Sequence, residues 1–173
     1  MTVDRLMIEA VAAHPLFRDL PAAEQRAIAE CTGETVFEDG AMLMRQGDQA
    51  EHFYLILYGM VALELHVPGR APLVVETLGK DEVVGWSWLV PPYDAQFDAR
   101  AVGMVRVLAI DAACLREKMA RDHTLGFVFY QRFLPVIADR LHAARVQLMD
   151  IYGHPADYAD APSAGKKRGK GKR

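Results

Sequence analysis

Three glycines, Gly40, Gly47 and Gly59, punctuate short apolar runs across residues 38–63, and this spacing restricts the chain more than any other stretch. Glycine reaches the positive φ that a tight reversal of a β chain needs. Gly47-Asp48 separates residues 41–46 from Phe53-Tyr54-Leu55-Ile56-Leu57, an aromatic and aliphatic run that reads as a buried strand. Gly59 then opens another strand over 60–66. The remaining strands are expected at 34–37, 42–45, 73–78, 97–103 and 106–110, with turns at Pro68-Gly69-Arg70-Ala71-Pro72 and Lys80-Asp81-Glu82 and a chain break at Pro91-Pro92-Tyr93.

Helical signals flank the strands. Residues 1–10 can begin a helix. Pro21 suits a first helical turn, so 22–31 is expected to be helical, ended by Gly33. Asp111 is an N-cap candidate for a helix over 112–120, and Thr124 for a longer one. In that longer helix Leu134, Ile137, Leu141, Ala144, Leu148 and Ile151 recur at steps of three and four, a heptad seam suited to a homodimer, with Pro135 expected to kink the helix or mark its start. The fold class is therefore mainly β with flanking helices.

The glycine-punctuated series, together with the His14-Pro15-Leu16-Phe17 lead-in, resembles the cyclic nucleotide-binding domain of the catabolite activator and FNR regulators. That resemblance implies a β-roll of the jelly-roll type, with N-terminal helices and a long C-terminal helix. It places one domain at 1–152, with the helical lead-in and roll at 14–110 and the C-terminal helices at 111–152, followed by a disordered basic tail at 153–173. In the family, a Gly-Glu pair opens a short segment that holds the nucleotide, the Glu taking the ribose hydroxyl. An Arg followed by small residues pairs with the cyclic phosphate, as a buried anion requires.

The corresponding stretch keeps Gly85 but has Trp86 at the Glu position, followed by Ser87, Trp88 and, past the prolines, Tyr93. Counting back from the last strand puts the phosphate Arg position near Ala95 or Gln96. Arg100-Ala101 imitates the Arg-small pair, inside the next strand. Charge-assisted hydrogen bonds contribute about 1.5–3 kcal/mol each, so losing both partners weakens nucleotide binding by about two to four decades. Three readings of Gly85, Trp86, Ser87, Trp88, Tyr93, Arg100 and Ala101 compete: rings that plug the cavity, a pocket altered for another ligand, or nucleotide binding retained through Arg100. The expectation is a non-enzymatic regulatory sensor with no cofactor, which does not hold cAMP or cGMP in the usual way and whose ligand or protein partner is unknown.

Totals restrict the alternatives. Of 20 basic residues six lie at 165–173 with no acid among them, leaving 14 basic against 23 acidic residues, −9, for the rest. An acidic body does not press its own surface onto DNA. After the long helix too few residues remain for the family's winged helix-turn-helix, so sequence-specific DNA binding by this chain alone is not expected; the tail could hold phosphates only unspecifically. A transcription-associated regulator acting through Arg100 or the tail is the alternative. A cupin-like metal enzyme is a further one, but His52 and His66 are isolated and two separated cysteines make no cluster. No apolar run approaches the ~18 residues of a membrane helix, no secretory pattern opens the chain, and Cys31 and Cys114 form no CxxC pair. Cytoplasmic residence with reduced thiols is the default.

Overall fold

A computed structural model of the chain describes residues 5–66, 69 and 71–152, with side chains up to residue 146. Two strands of 14 residues, β3 (His52–Leu65) and β6 (Asp98–Asp111), pair antiparallel along most of their length. The register slips between Ile56 and Tyr58 and again between Tyr58 and Met60, which divides this ribbon into two halves. On one half, β1 (Thr32–Phe37) flanks β6 and β5 (Val83–Val84) flanks β3. On the other, β2 (Met42–Met44) flanks β6 and β4 (Leu73–Leu78) flanks β3. Tyr54, Ile56, Val105 and Val107 from the first half pack with Val61, Leu63, Ala99 and Ala101 from the second in one apolar core. The result is the expected β-roll.

Two pairs of expected strands are thus single strands. Gly59 and Gly103 do adopt positive φ, +90° and +70°, but they let a continuous strand bend rather than ending it. A β-bulge sharpens twist without breaking the ladder on either side. The 83–90 stretch contributes only the two-residue β5 before leaving the sheet.

The first half of the ribbon is buried on both faces, which is why 53–57 is apolar without alternation. Its outer face carries Phe53, Leu55, Leu108 and Ile110, all fully buried. The helices are α1 (Arg5–Ala13), α2 (Ala22–Ala29), α3 (Ala112–Arg121) and α4 (His123–Tyr152). Phe129 and Phe133 of α4 meet Phe53 on this outer face. Asp111 caps α3 as expected, its carboxylate accepting from the Cys114 amide at 2.8 Å. Asp122, not Thr124, caps α4, accepting from the amides of Thr124 and Leu125. Gly33 does not end a helix; it lies in β1 opposite Ala109. Pro135 lies inside α4 rather than at its start.

The expectation of two reduced thiols is also corrected. Cys31, just after α2, and Cys114, in the first turn of α3, are 83 residues apart but joined by a disulfide, with Cα atoms 5.7 Å apart. The sheet brings β1 beside β6, and so brings the residues flanking those strands together, a juxtaposition that sequence separation hides. Among the described residues no helix is long and apolar enough to cross a membrane. The tail at 153–173 lies outside the described residues.

His14 ties the N-terminal segment down. It is buried, its Nδ1 accepts from the Leu16 amide at 3.2 Å, and its ring lies 6.1 Å from that of Phe17. Burial pushes its pKa below the ordinary 6.5, partly offset by Asp81. Around pH 6 the unfolded chain therefore binds more protons than the folded one, so this residue's contribution to stability rises with pH and levels off above about 6.5. The urea midpoint should fall between about pH 7.5 and about pH 5.5, and the fall should shrink in His14→Asn, whose side-chain oxygen can still accept from Leu16.

Candidate functional site

The segment after β5 is shaped by backbone that few residues tolerate. Gly85 has φ +83°, and a Cβ there would lie 2.8 Å from Met44 Cε and 3.8 Å from Phe53 Cβ. The Met44 methyl thus rests against the Gly85 backbone, in the gap that the missing side chain leaves. A single 3₁₀ turn, Ser87–Leu89, follows, with Trp86 half-buried at its start and Ser87 buried. The chain then passes a cis Pro91-Pro92 bond to Tyr93, which has φ +68°.

Trp88 is fully buried. Its indole stacks on Phe53 at 4.5 Å between centroids and 10° between planes, and meets Phe129 and Phe133 edge-on at 5.4 and 5.5 Å. Offset stacking and edge contacts suit the ring quadrupoles. This cluster therefore joins the 3₁₀ turn, the outer face of β3 and the first turns of α4. Trp88 Nε1 is buried and has no hydrogen-bond partner among the described residues. On the outer side Arg116 Nη1 donates to the Trp88 carbonyl at 2.9 Å, and the same guanidinium lies 4.4 Å from the centroid of the Tyr93 ring.

Past Tyr93 the backbone is already committed. Ala50 N donates to the Tyr93 carbonyl at 2.7 Å, Ala95 N to the Asp48 carbonyl at 2.8 Å, and Gly47 N to the Ala95 carbonyl at 2.9 Å. Ala95, one of the two positions at which counting places a phosphate-holding Arg, is buried. Gln96, the other, donates its side-chain amide to the Asp94 carbonyl.

Arg100 sits in β6, and strand parity decides its direction. Directly opposed residues of an antiparallel pair share a face, and faces alternate along each strand. Leu63 opposes Ala99 and Val61 opposes Ala101, and these four belong to the inner core. Ala62 opposes Arg100 and Glu64 opposes Asp98, so Arg100 and Glu64 share the other face. There they form a two-pronged ion pair: Nε donates to Oε2 at 3.1 Å and Nη2 to Oε1. The Glu64 side chain is 3 % exposed and that of Arg100 43 %. The hydrogen bond to Glu64, and then its charge, raise the Arg100 pKa above its ordinary value.

Of the residues singled out in the sequence, Gly85, Trp86, Ser87, Trp88 and Tyr93 form one continuous segment, while Arg100 and Ala101 lie on opposite faces of β6. Glu64 and Met44 were missed. Period-two alternation through Val61-Ala62-Leu63-Glu64 carried the signal for Glu64; nothing local distinguished Met44. Along α4, Leu134 and Leu141 are exposed at 67 % and 52 %, Ala144 is exposed and Ile137 half-buried. The side chains of Leu148 and Ile151 lie outside the described residues. Among the described residues no three His, Cys, Asp or Glu side chains gather as a metal-ligand set.

Residues 34–122 match the profile of the family described as Cyclic nucleotide-binding domain. A crystal structure from Geobacter metallireducens GS-15, of a protein named for cyclic nucleotide binding, is 26 % identical, with a TM-score of 0.67, and the match covers 82 % of this chain and 99 % of that one. The catabolite activator protein of Thermus thermophilus is similar at 22 % identity and a TM-score of 0.64 over 80 % of this chain and 63 % of its own. The regulatory domain of Toxoplasma gondii PKA, crystallised with cAMP, is similar at 20 % identity and a TM-score of 0.63 over 78 % of this chain and 49 % of its own. The last two likenesses are of fold, and this chain spans under two thirds of the length of each.

Proposed function

The chain belongs to the cyclic nucleotide-binding domain family, and from that premise we propose that it is a non-enzymatic regulatory domain whose cradle does not take cAMP or cGMP in the family's ordinary way. One observation carries the reading: the guanidinium of Arg100, the residue that imitates the family's Arg-small pair, lies on the face of β6 opposite the inner core and is engaged by the buried carboxylate of Glu64. Releasing it would leave that carboxylate buried without a partner, which is costly. The Met44 methyl against Gly85 and the packed Val61–Leu63–Ala99–Ala101 core agree, since both occupy space on the inner side. Trp86 adds bulk where a hydroxyl acceptor would stand, and an indole donates but does not accept.

Titration with cAMP, followed by the emission of Trp86 and Trp88, tests this directly. The expected result is no saturable change at micromolar nucleotide. Saturation in that range would overturn the proposal and restore the reading in which Arg100 holds the phosphate.

The exposed Leu134 and Leu141 support a second part of the proposal, a homodimer through the α4 seam. Leu134→Asp with Leu141→Asp should convert a dimer to a monomer in sedimentation velocity while leaving the far-ultraviolet dichroism unchanged. A wild-type monomer at tens of micromolar would remove the dimer from the proposal. The basic tail is a candidate for unspecific phosphate contact. Deleting residues 165–173 should abolish any nucleic-acid retention at moderate salt, and retention that survives the deletion would exclude the tail.

A further inference from the structure

Both cysteines of the chain form one bond, which ties the end of α2 to the first turn of α3. It joins residues 83 positions apart, so it restricts the unfolded chain strongly. The folded arrangement around it has other supports. Asp111 places both cysteines without the bond: its amide donates to the Cys31 carbonyl at 2.8 Å, and its carboxylate accepts from the Cys114 amide at 2.8 Å. Thr32, next to Cys31, pairs with Ile110 in the sheet. Ala112, Leu115 and Met119 of α3 are buried. Two free thiols would therefore stay side by side, within reach of re-forming the bond.

The two cysteines differ in access. Cys31 is 7 % exposed, whereas Cys114 is half-buried. Thiol–disulfide exchange requires an incoming thiolate to reach one sulfur, and Cys114 offers it. What the bond adds to the folded chain is a fixed start for α3. A second side-chain tie there, the Lys118–Glu30 ion pair, is partly exposed and contributes little. Two residues past Cys114, Arg116 donates to the Trp88 carbonyl and lies on the Tyr93 ring. Tyr93 is held at a φ that a non-glycine residue rarely adopts, and such a conformation persists only while its surroundings fix it. The 86–93 segment, with the groove that opens beyond Tyr93 against α3, thus takes its shape from where α3 is pinned.

We propose that the Cys31–Cys114 disulfide is a reversible redox latch, opened by a dithiol and re-formed by a disulfide in the folded protein, whose state sets how firmly α3 holds the 86–93 segment. One thiolate of the dithiol attacks the Cys114 sulfur, and the Cys31 sulfur leaves as a thiolate and takes a proton. The second thiolate then attacks the dithiol's own sulfur in the mixed disulfide. That closes the dithiol into a disulfide, and Cys114 leaves and is protonated. Two electrons pass from the dithiol to the protein, and its two protons end on the two cysteines. Re-formation is the reverse exchange. The latch is independent of what the inner cradle binds.

The test uses the full chain, first brought to the disulfide form with oxidised glutathione, and dithiothreitol as the dithiol. Thiols are counted by alkylation and mass, and the fold is followed by amide chemical shifts. Reduction should go to completion without urea. Its rate should change by less than about twofold across urea concentrations below the unfolding transition, whereas reduction that waits for global unfolding would speed up by about tenfold or more per molar. Amide shifts should move across 111–121 and at Trp88 and Tyr93, while those around Leu63 and Ala99 stay in place. Oxidised glutathione should restore the first spectrum. Cys31→Ser with Cys114→Ser should give the reduced spectrum and ignore dithiothreitol. In Arg116→Met, shown to be folded by its urea midpoint, the bond should still be reduced but the response at Trp88 and Tyr93 should be lost. A reduction rate that tracks unfolding, loss of the folded spectrum on reduction, shifts confined to the neighbours of the two cysteines, or failure of the bond to re-form would each overturn the proposal. So would an unchanged response at Trp88 and Tyr93 in Arg116→Met.

Discussion

Trp88→Ala should lower the unfolding free energy by about 3–5 kcal/mol, the range for removing a fully buried large aromatic side chain. The residue has no exposure and three ring partners, on β3 and α4. Its backbone is also braced from α3 through Arg116, so the surroundings have little freedom to collapse into the space left behind. Urea denaturation read by far-ultraviolet dichroism gives the number. Trp86→Ala is the control: a half-buried ring at the edge of the 3₁₀ turn should cost a fraction of that, on the order of 1 kcal/mol. If the two substitutions cost the same, the Phe53–Trp88–Phe129–Phe133 cluster is not the anchor between roll and helix described here. Trp88→Phe should recover more than half of the loss, because stacking on Phe53 needs a ring and not an indole N–H. The buried Nε1 has no partner to lose.

The second large effect is at a residue with no side chain at all. Gly59→Ala should cost about 3 kcal/mol or more, because two penalties add. Its φ of +90° is outside the comfortable range of an L-residue, worth roughly 1–2 kcal/mol. In addition, the new Cβ would lie 2.4 Å from the Met104 carbonyl oxygen and 3.0 Å from Val105 Cα. Both are backbone atoms of β6 and cannot swing aside. Gly103→Ala isolates the first penalty. Its φ is +70°, but nothing lies within 4 Å of a Cβ built there, so only about 1–2 kcal/mol is expected. Measuring both midpoints under one condition makes the difference between them the value of the close approach. A Gly103 variant as destabilised as the Gly59 variant would mean that dihedral strain alone accounts for both.

The same pair of glycines shows where reading the chain stopped short. Gly59 was legible as a residue of unusual φ, and the strands on either side of it were legible from β-branched and aromatic content. That it bends one strand instead of separating two was not, because the distinction rests on whether β6 keeps pairing across the bulge. Likewise Asp111 was readable as a cap since capping is a contact over three residues, whereas Thr124 lost to Asp122 by a choice among neighbours that share the same chemistry.

Local order along the chain determined the roll, its flanking helices, the acidic body with its cationic end, and the absence of a carboxylate at residue 86. All of these follow from turn chemistry, side-chain periodicity and residue identity, which act over a few positions. Only the tertiary structure decided that Arg100 lies on the face of β6 opposite Ala101 and is held by Glu64, that the Met44 methyl lies against Gly85, that Cys31 and Cys114 meet, and that a groove opens beyond Tyr93. Each of those depends on which strand or helix lies beside which. That is set by burying the apolar faces of β3 and β6 against one another and against α4, a requirement of the whole chain that no short stretch of it records.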